Sequence, residues 1–330
     1  MATLLTINDT PDDINPVYHE VKWRVTSADS SIKAVRADLY INNVFSTTIN
    51  GVQVLGTVNE FTFDVRKIMQ SDLVSELRTN ITTFQITSAI ISAKTIHLRL
   101  FEIVETGGVF TTTWASNGTG TNFLQTLDID VTNTAIQHQE DFQTFRQDTS
   151  NKVLLTTKPD NVSMPRGIPF QLGFISSDSS LFATIDELDA NLNSISTTST
   201  LPLSNTSSGK GIIEIPSASF SNPNTAFIDI HIEKTAVGDR SITHRFKIVD
   251  NCTNFTIFFQ NHLGGFDHFD FSANQVKNIT TQNQRFTKPL PSGFAVEDAG
   301  TLTIESRTKT KIKLFSGSIS SVELNFLQEI

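Results

Sequence analysis

Two stretches of this chain hold the side chains that could do chemistry. In Phe227-Ile-Asp-Ile-His-Ile-Glu233, the groups Asp229, His231 and Glu233 recur at every second residue, as metal ligands or proton carriers could. A strand separates such positions by about 6.5–7 Å, too far for one ion to bind all three without help from other elements. Ile228, Ile230 and Ile232 supply the buried face, so the polar trio is expected on the outer one. In the second stretch, His262, Asp267, His268 and Asp270 fall within Asn261-His-Leu-Gly-Gly-Phe-Asp-His-Phe-Asp270. A hydrolytic metal site uses these groups, but no second ligand cluster accompanies them. Gly264-Gly265 reads as a turn needing positive φ, with exposed polar tips.

Cys252 lies among Asp250, Asn251, Thr253 and Asn254, without the base or cationic surroundings of a nucleophile, and reads as a buried small hydrophobe. No phosphate-binding glycine loop, Gly-x-Ser-x-Gly elbow, His-Glu-x-x-His or Cys-x-x-Cys occurs. A glycosidase pair would be paired only in space, but two Trp and two Tyr against 25 Phe weigh against a sugar cleft. The expectation is therefore a non-enzyme with no catalytic, cofactor-binding or metal-binding residue.

Charge points the same way. The formal charge is −9 and the 25 basic residues are scattered, so no direct nucleic-acid contact is expected. The most basic stretch, Arg307-Thr-Lys309-Thr-Lys311-Ile-Lys313, alternates and reads as the solvent face of one strand. A single cysteine suits a reducing compartment. The first ten residues lack the basic and apolar regions of a secretion signal, and no apolar run reaches the ~18–20 residues that span a bilayer. The sequons at Asn80, Asn161 and Asn278 read as chance in an Asn/Thr-rich chain.

The elements that must position these groups are strands. Val21, Trp23 and Val25 alternate with Lys22 and Arg24; Val35, Ala37, Leu39 and Ile41 alternate with polar partners before an Asn42-Asn43 turn. Asn50-Gly51 is a strong hairpin signal. One helix is predicted over 64–78, with Asp64 as N-cap and Val65, Ile68, Met69, Leu73 and Leu77 as its apolar stripe. Strands follow over 83–91, 96–104, 109–115 and 127–131, then a polar stretch over 137–151. Leu181–Leu188 could open a helix through Thr184-Ile-Asp-Glu187, but the turn-rich 189–193 favours a hairpin. Later strands are predicted over 227–234, 243–249, 255–259, 269–271, 279–286, 301–306 and 310–315. A short C-terminal helix capped at Ser320-Ser-Val-Glu323 is still apolar at Ile330, as if the parent chain continued. The turn rhythm of about 8–12 residues predicts an all-β fold of tandem antiparallel β-sandwich domains. The predicted units are 1–136, 137–250 and 251–330.

Three stretches resemble virion structural proteins, of tail or neck type, from phages of Bacteroidetes bacteria. They are Val35-Arg-Ala-Asp-Leu-Tyr-Ile-Asn-Asn43 with Phe61-Thr-Phe-Asp-Val-Arg-Lys-Ile68; Ala135-Ile-Gln-His138 with Lys152-Val-Leu-Leu-Thr156 and Pro159; and Cys252 with Asn261-His-Leu-Gly-Gly-Phe-Asp267 and Phe271. Leu154 and Leu155 stand where that group has an aromatic. The resemblance implies an assembly role in a virion built in the host cytoplasm, with copies of itself and other virion proteins as partners. It carries over no catalytic residue. The edge segments 152–157 and 310–315 are the expected contacts. Two other readings remain: a double jelly-roll capsid protein, whose two eight-stranded barrels need about this much chain, and a receptor- or glycan-binding surface protein.

Overall fold

A computed structural model describes residues 5–28, 32–57, 59–114, 124–134, 139–148, 152–178, 180–203, 209–234, 239–250, 255–271, 276–287, 301–315, 319 and 321–328. Strand outweighs helix by 57% to 9%, so the chain is all-β and built of tandem sandwiches.

The first part comprises β1 (Leu5–Asp9), β2 (Ile14–Pro16), β3 (Lys22–Ser27), β4 (Ile32–Ile41), β5 (Val44–Asn50), β6 (Val52–Gln53), β7 (Glu60–Asp64) and α1 (Arg66–Asp72). It continues with β8 (Gln85–Ser88), β9 (Ala93–Thr106), β10 (Val109–Trp114) and β11 (Ile129–Thr132). One sheet runs β1-β3-β7-β6; the facing sheet runs β2-β11-β9-β4-β5, with β10 added to β9. The alternate residues Trp23, Val25, Phe61 and Phe63 meet Val35, Leu39, Leu98 and Leu100 in one core. Period-two alternation forces this, because every second side chain points to the same face.

Asn42 (φ 50°) and Asn43 (φ 63°) turn the β4–β5 hairpin as expected. Asn50-Gly51 does not make a hairpin. It carries the chain from β5 in one sheet to β6 in the other, and the Gly51 N–H donates to the Val35 carbonyl at 2.8 Å. A Cβ on Gly51 would lie 2.9 Å from Phe63 Cζ, so the glycine serves close approach rather than a turn. The helix is also shorter than predicted. Val65 is its N-cap, while the Asp64 carboxylate accepts the Arg66 N–H at 2.9 Å. Leu73 turns extended and the Val74 N–H bonds to the Ile91 carbonyl, which stops the helix before Leu77.

The second part comprises α2 (Gln139–Asp148), β12 (Lys152–Leu155), β13 (Val162–Pro165), β14 (Phe170–Ser176), β15 (Leu181–Leu188), β16 (Ser194–Ser199), β17 (Lys210–Ile215), β18 (Phe227–Lys234) and β19 (His244–Val249). Its sheets run β12-β14-β17-β8 and β13-β19-β18-β15-β16. Phe170, Phe174, Ile213 and Ile215 meet Ile185, Ile228, Ile230 and Phe246 between them. β15 and β16 form the hairpin that the turn-rich 189–193 favours; the Asp189 carboxylate accepts the N–H groups of Asn191 and Asn193. β8 lies within residues 1–136, yet it pairs with β17 and places Ile86 in the second core. Two pairings, β2 with β11 and β13 with β19, are parallel.

The polar stretch after 137 contains α2, which the composition did not predict. Phe142 and Arg146 are buried on one face of it, and Phe142 joins Ile14, Leu155, Ile175 and Leu263 in a third core between the sandwiches. The Arg146 guanidinium grips both oxygens of Asp13, at 2.9 and 3.1 Å. Phe142→Ala is expected to cost about 3 kcal/mol of unfolding free energy, read as a lower urea midpoint at unchanged slope.

The last part comprises β20 (Phe255–Gln260), β21 (Phe266–Phe271), β22 (Val276–Thr287), β23 (Thr301–Lys313) and α3 (Ser321–Leu327). β20 and β21 form one two-stranded sheet, and β22 and β23 form another. Phe326 of α3 sits 5.3 Å from the Phe259 ring. Among the described residues, no helix is long and apolar enough to cross a membrane.

Candidate functional site

The second candidate stretch keeps an exposed tip only at His262; Asn261, Asp267 and His268 are buried, where exposed tips were expected. The 261–265 turn between β20 and β21 is wedged between the two sandwiches. Asn261 Nδ2 donates to the Leu155 carbonyl at 3.0 Å and to Asp267 at 2.7 Å, and its Oδ1 accepts the Gly265 N–H at 3.0 Å. Thr134 Oγ1 donates to the His262 carbonyl at 3.3 Å, and Lys210 Nζ donates to the Gly264 carbonyl at 2.8 Å. Asp267 also accepts from Thr156 Oγ1 at 2.5 Å, the Thr157 N–H at 3.0 Å and Thr157 Oγ1 at 3.1 Å. Apart from the Gly265 N–H, these partners belong to other segments of the fold, which marks the turn as architectural.

Beside it, Lys158 Nζ lies 3.0 Å from His268 Nε2, which is 3.5 Å from Asp270 Oδ2. All three side chains are enclosed. Burial pulls the Lys158 ammonium down to about 8, with Asp270 and Asp267 opposing. Burial and then the Lys158 charge hold His268 well below the usual histidine range, and burial raises Asp270. These are the groups of a proton relay, enclosed among the described residues. The Lys158–His268 contact ties β21 to the segment that follows β12.

On β18 the polar trio does lie opposite Ile228, Ile230 and Ile232, but two of its members are buried as well. Cross-strand neighbours cover them: Arg245 Nε and Nη2 each bind Asp229 at 2.6 Å, and Thr184 Oγ1 donates to Glu233 at 2.8 Å. His231 sits between Glu233 at 3.7 Å and Asp186 at 4.0 Å, and burial lowers its pKa. No group of three or more His, Cys, Asp or Glu among the described residues is placed to hold a metal ion. The neighbouring cleft of about 420 Å³ is lined by Asp160, Asp186 and Asp229 against Arg240 and Arg245, so its charges largely offset. Cys252 lies outside the described residues.

Of the two expected edge contacts, 152–157 is covered. Lys152 Nζ is clamped between Asp178 at 2.7 Å and Asp239 at 2.5 Å, and Val153 and Leu155 are buried. The other belongs to a longer feature. Residues 301–306 and 310–315, predicted as two strands, run together as β23, which pairs with β22 over twelve registered positions. At about 3.4 Å per residue this arm is roughly 40 Å long. Every side chain described from Val276 to Gln284 and from Ser306 to Lys313 is exposed. Residues opposite one another share a face, so Arg307, Lys309, Lys311 and Lys313 line one side. Ile312 and Ile279 lie on the other, 44% and 61% exposed. The signal for one long strand was the Thr-rich, β-favouring run from 301 to 313, which contains no Gly, Pro, Asn or Asp to break it.

No family model matches this chain, and no curated protein does. Among solved structures, it is similar to the fibronectin(III)-like modules of Clostridium thermocellum CbhA. The identity is 9%, with 74% of this chain and 93% of that chain covered, and the TM-score is 0.18. It is also similar to tandem immunoglobulin domains of a Dpr protein in complex with DIP-Theta. There the identity is 7%, with 75% of this chain and all of that chain covered, and the TM-score is again 0.18.

Proposed function

We propose that the chain is a non-catalytic structural subunit of a bacteriophage particle, of tail, neck or baseplate type, acting through contacts with its own copies and neighbouring virion proteins. The observation that supports this is the β22–β23 arm. A two-stranded ribbon is marginally stable in water at best, and its outer edges present unpaired N–H and C=O groups. A ribbon of twelve paired positions, exposed on both faces over the seven pairs from Val276–Lys313 to Gln282–Arg307, makes sense when another subunit completes it. Asp229 and His268, among the residues that could have done chemistry, are committed to contacts within the fold, in keeping with a structural role.

The test excises residues 277–312 and bridges Val276 to Lys313, which are opposite each other in the ladder. The full chain is expected to sediment as assemblies larger than its 36.5 kDa monomer. The excised chain is expected to stay folded and monomeric. Mass spectrometry of purified particles is expected to find the chain in many copies. A full chain that stays monomeric at every concentration, and is missing from particles, would overturn the proposal.

A further inference from the structure

The arm that bears this basic face is strongly cationic as a whole. β22 and β23 hold six basic residues and one acidic residue, a charge of +5, while the whole chain carries −9. The rest of the chain therefore carries −14. The ammonium groups of Lys309, Lys311 and Lys313 make no hydrogen bond or ion pair among the described residues. With Arg307 they form a row about 20 Å long, one cation every ~7 Å. Carboxylates gather elsewhere on the body: Asp13, paired with Arg146, and Asp128, beside His97, lie near Asp130 and keep side chains 62% and 56% exposed.

From this complementarity we infer that the Arg307–Lys309–Lys311–Lys313 face docks on the acidic body of a second copy of this chain. The inference rests on the assembly role proposed above and names its partner and its chemistry. Two arms cannot meet through this face, because like charges would oppose. A nucleic acid would satisfy the cations, but it would leave Ile279 and Ile312 exposed on the opposite side. It would also meet a chain whose remaining residues carry −14. A protein surface can cover both faces and supply the carboxylates.

The experiment uses the full chain and a Lys309→Glu/Lys311→Glu/Lys313→Glu variant, whose altered side chains are all exposed, so folding is retained. Self-association is measured by sedimentation at low salt and at about 0.5 M salt, where screening shortens the Debye length to a few ångströms. Association is expected to weaken at least tenfold in high salt and at least tenfold in the variant. In an equal mixture of unlabelled and ¹⁵N-labelled chains, a zero-length carboxyl–amine cross-linker is expected to join these lysines to Asp or Glu of the other isotope.

If the variant associates as the parent does while the arm-excised chain does not, the inference falls and the assembly role stands, with the strand edges as the contact. If excision also leaves association unchanged, the arm is not the contact and both readings lose their support. Arm-dependent capture of a DNA or RNA oligonucleotide by a monomeric chain would overturn the inference in favour of a nucleic-acid partner.

Discussion

A Gly264→Ala chain is expected to lose about 3 kcal/mol or more of unfolding free energy, among the larger effects of any single methyl group in this molecule. Gly264 has φ +84°, and a Cβ there would lie 1.8 Å from the carbonyl oxygen of Asn133 and 2.8 Å from its carbon. Both are backbone atoms, so no side-chain rotation relieves the clash. At Gly265 the added carbon would lie 2.0 Å from the Leu155 carbonyl oxygen. The turn is thus pressed on one side by the segment leaving the first sandwich and on the other by β12. Gly107 (φ +61°) separates this packing effect from backbone conformation, since a Cβ there meets nothing within 4 Å. Gly107→Ala is expected to cost only about 1 kcal/mol, the price of the left-handed conformation. Urea titrations of the two variants give the comparison. Equal losses at Gly107 and Gly264 would show that the turn is not wedged.

Stability is expected to rise with pH between about 8 and 10.5. Lys158 and Lys210 have the ordinary value of 10.5 when unfolded, and burial brings each down to about 8 in the fold, with Asp270 and Asp267 opposing at Lys158 and Glu76 at Lys210. Between the two values the unfolded chain binds more protons than the folded one, so unfolding becomes less favourable as pH increases. A difference of this size corresponds to roughly 3 kcal/mol for each lysine, missing at pH 7 and recovered near pH 10.5. Lys210→Met is expected to remove about half of the rise, and Lys158→Met the other half. Urea midpoints measured from pH 7 to 10.5 check it. A flat or falling profile would mean that the two ammonium groups reach water or close anionic partners in solution.

The alternating stretches were the legible part of this fold. Val21, Trp23 and Val25 reveal their own buried face, because in a strand the side-chain direction depends only on the parity of the position. Asn42-Asn43 was legible for a similar reason: both residues tolerate positive φ, and the turn needs it at both. α2 was harder to read. Its burial rests on Phe142, Phe145 and Arg146, three residues within a polar run, and their partners Ile14, Asp13 and Leu263 lie more than a hundred residues away. The candidate sites were half legible. Parity placed Asp229, His231 and Glu233 opposite the isoleucines, but it could not show that Arg245 and Thr184 from neighbouring strands close over them.

The sequence by itself determined the all-β class, most of the inward faces and the alternating cations of 307–313, since each follows from local geometry that repeats every two residues. Only the tertiary structure decided that β8 belongs to the second sandwich, that Gly264 and Gly265 form a wedge, that Lys158 and Lys210 are enclosed, and that β22 and β23 stand apart as one arm. Each of these depends on which distant surfaces meet, and strand periodicity carries no record of its partner.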